Sequence, residues 1–199
     1  GSWGNENWSA NLADLNVAAG AVFDGVEANV RVNRLSGTGT IKSGYGGAGY
    51  QALTMGVDNG SGTFDGVLAN SSAPANVVKE GTGTIVLLGA NAYTGTTRVA
   101  AGTLQVGDGG TVGTLGSGAV TIASGATLEI NRTGTFATAS GQSIGGAGTL
   151  VKNGSGTAIF NGSMAGLENL VVFDEHCPHR QLEPLEGRPA LECLGQRHV

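Results

Sequence analysis

Apolar residues through most of the chain alternate with small polar ones in short runs. The segments Thr84–Leu87 and Thr103–Val106 are typical, because an apolar side chain falls at every second position from Ile85 and from Leu104. A period of two indicates a β-strand, and Thr, Val and Ile favour that conformation. Clusters of Gly, Asn and Asp separate the runs, as expected of turns. The pattern predicts many short strands and no long helix.

The runs also repeat along the chain. Residues 23–29 (FDGVEAN) and residues 64–70 (FDGVLAN) are nearly identical and lie 41 positions apart. A second signature, Gly-small-Gly-Thr followed by an apolar residue, recurs with variation. One apolar residue of each unit recurs every 18 to 24 positions: Phe23, Ile41, Phe64, Ile85, Leu104, Leu128 and Leu150. A period of about 20 residues with short strands predicts a solenoid, with these residues stacked in one column.

Equivalent residues that recur once per unit favour a parallel arrangement over an antiparallel sandwich. The sequence therefore predicts an all-β fold, a right-handed single-stranded parallel β-helix followed by a non-repetitive C-terminal tail. Seven to eight coils at a spacing of about 4.8 Å give a rod of about 35 Å. We divide the chain into an N-terminal cap at 1–14, where Trp3 and Trp8 are placed to close the end, a repeat body at 15–174 and a tail at 175–199.

Composition supports a folded body. The 37 glycines coexist with 40% hydrophobic residues, which a flexible Gly-rich linker would lack. The formal net charge of −5 with only 13% charged residues gives no basic surface for nucleic acid. A run of 18 or more apolar residues is absent from the sequence, so no transmembrane helix is predicted.

One stretch carries a specific family pattern. Residues 79–107, KEGTGTIVLLGANAYTGTTRVAAGTLQVG, closely resemble the passenger-associated transport repeat, the autotransporter-associated β-strand module of bacterial surface proteins. A partial second copy begins at Leu150. The positions that carry the resemblance are Lys79, Gly81, Gly83, Ile85, Leu87, Gly89, Asn91, Tyr93, Gly95, Thr97, Val99, Gly102, Leu104 and Val106, with Lys152, Gly154 and Gly156 in the second copy.

The resemblance implies a β-helical passenger that is exported through the outer membrane and then displayed on the bacterial surface or released. It implies a translocator β-barrel in the parent protein as a partner, without a counterpart in this chain. It supplies no catalytic residue, metal or cofactor. We therefore predict a non-enzymatic stalk and secretion-assisting scaffold that also serves as an adhesin for a host-surface or glycan ligand. End-to-end self-association of the rod is a further expectation, and a truncated product without function is an alternative.

A second alternative is a β-helix enzyme that degrades polysaccharides with clustered carboxylates. Asp24 and Asp65 are equivalent in the duplicated segment, so two coils would separate them by about 10 Å on one edge of the rod. Inverting glycosidases hold their carboxyl groups about 6.5–9.5 Å apart. Asp58 is a further acid nearby. Asp-Gly after an apolar residue is also ordinary turn chemistry, which is the interpretation we favour.

Two other features allow a functional and a structural interpretation. Residues 44–49 match G-x-G-x-x-G, but the strand-like residues 51–55 that follow do not form the helix that a dinucleotide site requires, so we predict a turn. Asn91 and Tyr93 either project outward to touch a sugar or a protein, or stack between neighbouring coils, which we favour.

The tail concentrates the metal-binding residue types, but not at the spacing of a zinc site. Its candidates are His176, Cys177, His179, Cys193 and His198. Because histidine is absent before residue 176, a Ser-His-Asp triad in the body is excluded. We interpret the tail as an out-of-frame or foreign C-terminus that adds no stability, and we predict no metal site.

Overall fold

A computed structural model describes residue 8 and residues 10–25, 28–46, 49 and 51–173, together with the backbone of residues 191–193. These residues form twenty-one strands, numbered in chain order, and no helix. Every strand pairing is parallel, and most pairings join strands one coil apart. The chain is thus an all-β parallel solenoid of about seven coils, as the repeat period predicted. Trp3 and most of the predicted tail lie outside the described residues.

The longest sheet, face A, contains the first strand of each coil. Its parallel register is continuous from one coil to the next. The strands of face A are β1 (Leu15–Val17), β4 (Leu35–Gly37), β7 (Gly62–Phe64), β10 (Thr84–Leu87), β12 (Thr103–Val106), β14 (Thr127–Asn131), β17 (Thr149–Asn153), β20 (Asn169–Val172) and β21 (Leu191–Cys193).

A second sheet, face C, contains the last strand of each coil. The strands of face C are β3 (Val30–Val32), β6 (Ala52–Met55), β9 (Asn76–Lys79), β11 (Thr97–Val99), β13 (Val120–Ile122), β16 (Ile144–Gly145) and β19 (Met164–Ala165). Faces A and C lie on either side of one apolar core, because both turn alternate side chains inward.

The third face, face B, is interrupted. Residues 88–96 of coil four and residues 107–119 of coil five cross between faces A and C without forming a strand. The remaining coils supply two small sheets, so face B is the irregular side of the solenoid. Its strands are β2 (Val22–Asp24), β5 (Thr40–Ser43) and β8 (Val67–Asn70), then β15 (Phe136–Ala137) and β18 (Ala158–Ile159).

The core is a column of stacked apolar side chains on face A. Ile85 pairs with Leu104, Leu104 with Leu128 and Leu128 with Leu150, all with side chains shielded from solvent. Leu170 continues the column and is partly buried. Burying each such side chain stabilises the fold by about 1.5–3 kcal/mol. This part of the predicted column is confirmed.

The predicted column is wrong before residue 85. Phe23 does pair with Ile41, but on face B, and Ile41 then pairs with Leu68. Phe64 lies on face A instead, where it pairs with Leu87. The duplicated segments 23–29 and 64–70 therefore begin on different faces.

The face that each copy joins is not visible in the repeat period. On its other side Phe64 pairs with Gly37, and its fully buried ring lies against Gly66, where an added Cβ would be 2.5 Å from Phe64 Cζ. A period of about 20 residues sets the length of a coil, but not the face that each strand joins.

Among the described residues, none belongs to a helix that is long and apolar enough to span a membrane.

Candidate functional site

The motif lysine of the first repeat copy is buried inside the solenoid. Lys79 ends β9, and its side chain is 0% exposed. Its Nζ donates hydrogen bonds to the carbonyl oxygens of Glu80 at 2.6 Å, Gly81 at 2.9 Å and Ala101 at 3.3 Å. Burial lowers the pKa of Lys79 to about 8, and the Glu80 carboxylate opposes part of that shift. One ammonium thus joins a corner of coil three to the next coil.

Lys152 makes a similar arrangement in the second copy, except that its inter-coil acceptor lies in the preceding coil and not in the next one. Its Nζ donates to the carbonyl oxygens of Asn153 and Gly154, both at 2.6 Å, and to that of Arg132 in the preceding coil at 3.3 Å. Lys152 lies on face A, in β17, whereas Lys79 lies on face C. The Lys-x-Gly-x-Gly unit is therefore a local corner structure that does not depend on the face that carries it.

The motif glycines are positions where neighbouring coils approach too closely for a side chain. Gly81 has φ +66, and an added Cβ would lie 2.0 Å from the carbonyl oxygen of Gly56. At Gly89 the corresponding distance to the oxygen of Gly66 is 1.8 Å. The remaining motif glycines each have a neighbouring carbonyl oxygen within 2.8 Å of an added Cβ: Gly83, Gly95, Gly102, Gly154 and Gly156.

The other motif residues point inward. Tyr93 is fully buried, and its hydroxyl is hydrogen-bonded to Thr97 Oγ1 at 2.7 Å. Burial raises the pKa of Tyr93, and that hydrogen bond opposes the shift. The apolar motif positions are all 0% exposed: Ile85, Leu87, Val99, Leu104 and Val106.

Asn91 joins three successive coils. Its Oδ1 accepts a hydrogen bond from Leu68 N at 2.9 Å, and its Nδ2 donates to Thr114 O at 2.7 Å. The alternative in which Asn91 and Tyr93 project outward to touch a ligand is therefore wrong. Both residues hold coils together where face B lacks strands.

A wider set of asparagines braces the corners, and sequence reasoning missed it. Each side-chain oxygen accepts a backbone N–H of the following coil. The pairs are Asn33 with Gly60 at 2.8 Å, Asn59 with Thr82 at 2.9 Å, Asn70 with Thr94 at 3.0 Å and Asn76 with Thr96 at 2.8 Å. The signal was present as Asn in successive turn clusters, but turn propensity alone does not reveal a bond to the next coil.

The carboxylates of the enzyme alternative are not brought together. Asp24 lies in β2 on face B, in register with Lys42, and its Oδ2 accepts a hydrogen bond from Ser71 Oγ at 3.2 Å. Asp65 follows β7 on face A. The expected stacking of the two aspartates on one edge is wrong, because the duplicated segments occupy different faces.

Asp58 does not complete a site either. It lies at the corner before β7, where its backbone N–H donates to Asn33 Oδ1 at 3.2 Å. Within the described part of the chain, no group of three or more His, Cys, Asp or Glu side chains is placed to hold a metal ion. The His and Cys candidates of the tail lie outside it, apart from the backbone of Cys193.

The G-x-G-x-x-G segment begins at a corner and leads into a strand. Gly44 has φ +94 and packs against the carbonyl oxygen of Ala73. The segment is followed by β6, whereas a dinucleotide site requires a helix. Residues 47 and 48 lie outside the described residues, so the turn over residues 44–49 stays a prediction.

The break in face B leaves a shallow depression of about 280 Å³ over coils four to six. Asn91, Tyr93, Phe136 and Gln142 are among the residues that line it. Gln142 Nε2 donates to the carbonyl oxygens of Gly116 at 2.8 Å and Gly118 at 2.7 Å, so its amide bridges coils as Asn91 does. The side-chain amides of Asn91 and Gln142 are thus both engaged with the backbone of neighbouring coils.

Comparison with known proteins agrees with this architecture. The family model of the passenger-associated transport repeat matches residues 77–106. Those residues contain the buried lysine, the corner glycines and the inward positions described above. No solved structure matches the chain.

The chain is also similar to the adhesin BmaC autotransporter of Brucella suis biovar 1 (strain 1330). The two are 35% identical over 191 aligned residues, which cover 77% of this chain and 6% of the relative. The chain thus spans a small part of the length of that relative. These matches confirm the resemblance to an autotransporter passenger domain with transport repeats, a class that is exposed on the bacterial surface or secreted.

Proposed function

We propose that this chain, a passenger-type β-solenoid segment with a transport repeat, acts as a non-enzymatic stalk and secretion-assisting scaffold. Its work is mechanical: it holds other parts of a longer surface protein away from the membrane. The partner in export is the translocator β-barrel of the parent protein. The observation that carries the proposal is the bracing of coil to coil, in which polar side chains bind the backbone of a neighbouring coil.

The fold also suits assembly in one direction. Each completed coil presents the unpaired edges of its parallel strands, and the next coil adds to those edges. Lys79 supports this sequence of events because its ammonium binds the carbonyl oxygens of its own corner and of Ala101 in the next coil. Folding outside the membrane one coil at a time would favour outward movement of the chain.

The proposal is tested by surface display. The chain is placed between an N-terminal reporter and a translocator barrel, and reporter exposure on intact cells is measured by protease accessibility. Ile85→Asp puts a carboxylate into the core column, so we expect display to fall severalfold. Val86→Asp is the matched control on the same strand, because Val86 points outward and is half-buried. Equal display of both variants would contradict a scaffold role that depends on the stacked core.

Adhesion is a second function of the same rod, supported by the similarity of the chain to the adhesin BmaC autotransporter of Brucella suis. Binding of the purified chain to host cells and to glycan arrays tests this role, with the unfolded Ile85→Asp chain as control. If the folded chain does not bind while the fusion is still displayed on the cell surface, the adhesin role is contradicted and the stalk role stands.

A further inference from the structure

The corner that ends β17 places a side chain against the backbone nitrogen that follows it. Gly154 N–H donates a hydrogen bond to Oδ1 of Asn153 at 2.8 Å. Because Cγ is one C=O bond of about 1.2 Å from Oδ1, the Gly154 nitrogen lies within about 4 Å of Cγ. We propose that Asn153 is a site of spontaneous covalent modification, in which the Gly154 nitrogen attacks Cγ and the residue becomes aspartate or isoaspartate.

The reaction requires water as its only co-reactant. The bond between the Gly154 nitrogen and Cγ forms, and the bond between Cγ and Nδ2 breaks. Nδ2 departs as ammonia and takes up the proton that the Gly154 nitrogen gives up. Water then opens the cyclic succinimide at one of its two carbonyl groups, which leaves aspartate or isoaspartate at position 153. The net change is the uptake of one water and the release of one ammonia.

Lys152 activates the nucleophile. Its ammonium is 2.6 Å from the carbonyl oxygen of Asn153, which belongs to the same peptide unit as the Gly154 nitrogen. Resonance shares charge between the oxygen and the nitrogen of a peptide unit. The positive ammonium beside that oxygen therefore stabilises the deprotonated peptide unit, and this favours loss of the proton from the attacking Gly154 nitrogen.

Glu129 positions the electrophile. Asn153 Nδ2 donates to Glu129 Oε1 at 3.1 Å, so the carboxylate holds the amino end of the side chain on β14. This leaves Oδ1 and Cγ facing the corner. Asn153 is half-buried, so water reaches the intermediate.

Two other Asn-Gly pairs of this chain provide internal controls. At Asn59–Gly60, the Gly60 N–H donates to Asn33 Oδ1 at 2.8 Å, and Asn59 Oδ1 accepts from Thr82 N at 2.9 Å. At Asn161–Gly162, Asn161 Nδ2 donates to Thr138 O at 2.7 Å. The carboxamides of Asn59 and Asn161 are thus held on neighbouring coils. The amino end of Asn153 is held in the same way by Glu129, but Asn153 Oδ1 also accepts the N–H of its own following residue.

The experiment is peptide mapping by mass spectrometry with separation of aspartate and isoaspartate products. The folded chain is incubated in mildly alkaline buffer, and a parallel sample is incubated in urea. We expect position 153 to convert severalfold faster than positions 59 and 161 in the folded chain, and all three to convert at similar rates in urea. Equal rates in the folded chain, or no conversion at 153, would overturn the proposal.

Variants separate positioning from general loosening of the fold. Glu129→Ala is expected to slow conversion at 153 severalfold without changing the rates at 59 and 161. Faster conversion at all three sites would show unfolding and would count against the role of Glu129. Asn153→Asp places a second carboxylate beside Glu129, so its melting temperature should fall and should recover in the double variant with Glu129→Gln. No recovery would contradict the proposed contact.

Discussion

The Nζ of Lys79 lies 3.3 Å from the carbonyl oxygen of Ala101, 22 residues later and one coil further along the solenoid. The same ammonium binds the carbonyl oxygens of the corner that Lys79 itself begins. The polar lysine of the repeat motif is therefore buried, and its hydrogen bonds link one coil to the next. Its charge is retained in the core because three carbonyl oxygens replace water around it.

Replacing this lysine should destabilise the chain. Lys79→Met leaves three carbonyl oxygens without their donor, but it also removes a buried charge. The two effects oppose each other, so we expect a loss of about 1–2 kcal/mol in the free energy of unfolding at neutral pH. Urea denaturation measures it. Lys42→Met, on the outside of β5, is the matched control and should change stability by less than about 0.5 kcal/mol.

The free energy of unfolding should also rise with pH in the alkaline range, because of Lys79. Its pKa is lowered from 10.5 to about 8 in the folded chain, so between these values the unfolded chain binds more protons. Stability from this group is therefore fully present above pH 10.5 and is lost as pH falls through about 8. The difference in unfolding free energy between the wild type and Lys79→Met should grow by up to about 3 kcal/mol across that window. A difference that stays constant with pH would contradict the lowered pKa.

The corner glycines should not tolerate a methyl group. An added Cβ at Gly89 would lie 1.8 Å from the carbonyl oxygen of Gly66, so coils three and four would have to separate. We expect Gly89→Ala to destabilise the chain by about 3 kcal/mol. Gly46→Ala is the control, because an added Cβ there meets no atom within 4 Å. The two variants are compared by thermal unfolding monitored by circular dichroism. Similar midpoints would contradict the close approach of Gly89 to the carbonyl oxygen of Gly66.

Asn91 should contribute more to the stability of the fold than an exposed asparagine does. Asn91→Ala removes an acceptor for Leu68 N and a donor to Thr114 O in a buried position. Leaving these groups without partners should cost about 2–3 kcal/mol. Asn16→Ala removes an exposed bond to Ser36 Oγ and should have little effect. Hydrogen exchange at Leu68 should rise in Asn91→Ala, and unchanged protection would argue against the bridge.

The fold should tolerate loss of the Tyr93 hydroxyl better than loss of the Tyr93 ring. Tyr93→Phe removes the hydrogen bond to Thr97 Oγ1 and should cost about 1 kcal/mol. Tyr93→Ala also opens a cavity in a position that is 0% exposed, and it should cost about 3–5 kcal/mol. Chemical denaturation of both variants checks the difference, and equal losses would mean that the ring does not fill the core.

The sequence predicted the coil length and strand direction well where the repeat is strongest. From Ile85 to Leu150, residues of the same type recur once per coil and stack as expected. Alternation with period two also separated inward from outward positions on β10, β12, β14 and β17. These features are local, because the alternation of side chains along a strand follows from backbone geometry.

The tertiary structure alone decided which residues meet across coils. Phe23 and Phe64 begin nearly identical segments, yet they lie on different faces, since Phe23 pairs with Ile41 on face B and Phe64 pairs with Gly37 and Leu87 on face A. That choice separated Asp24 from Asp65 and removed the candidate carboxylate pair. The sequence by itself determined a parallel solenoid, since its pattern sets strands, turns and coil length. The partners of Lys79, Asn91 and Asn153 were decided by the register between coils, which depends on side-chain volume and on backbone groups far apart in the chain.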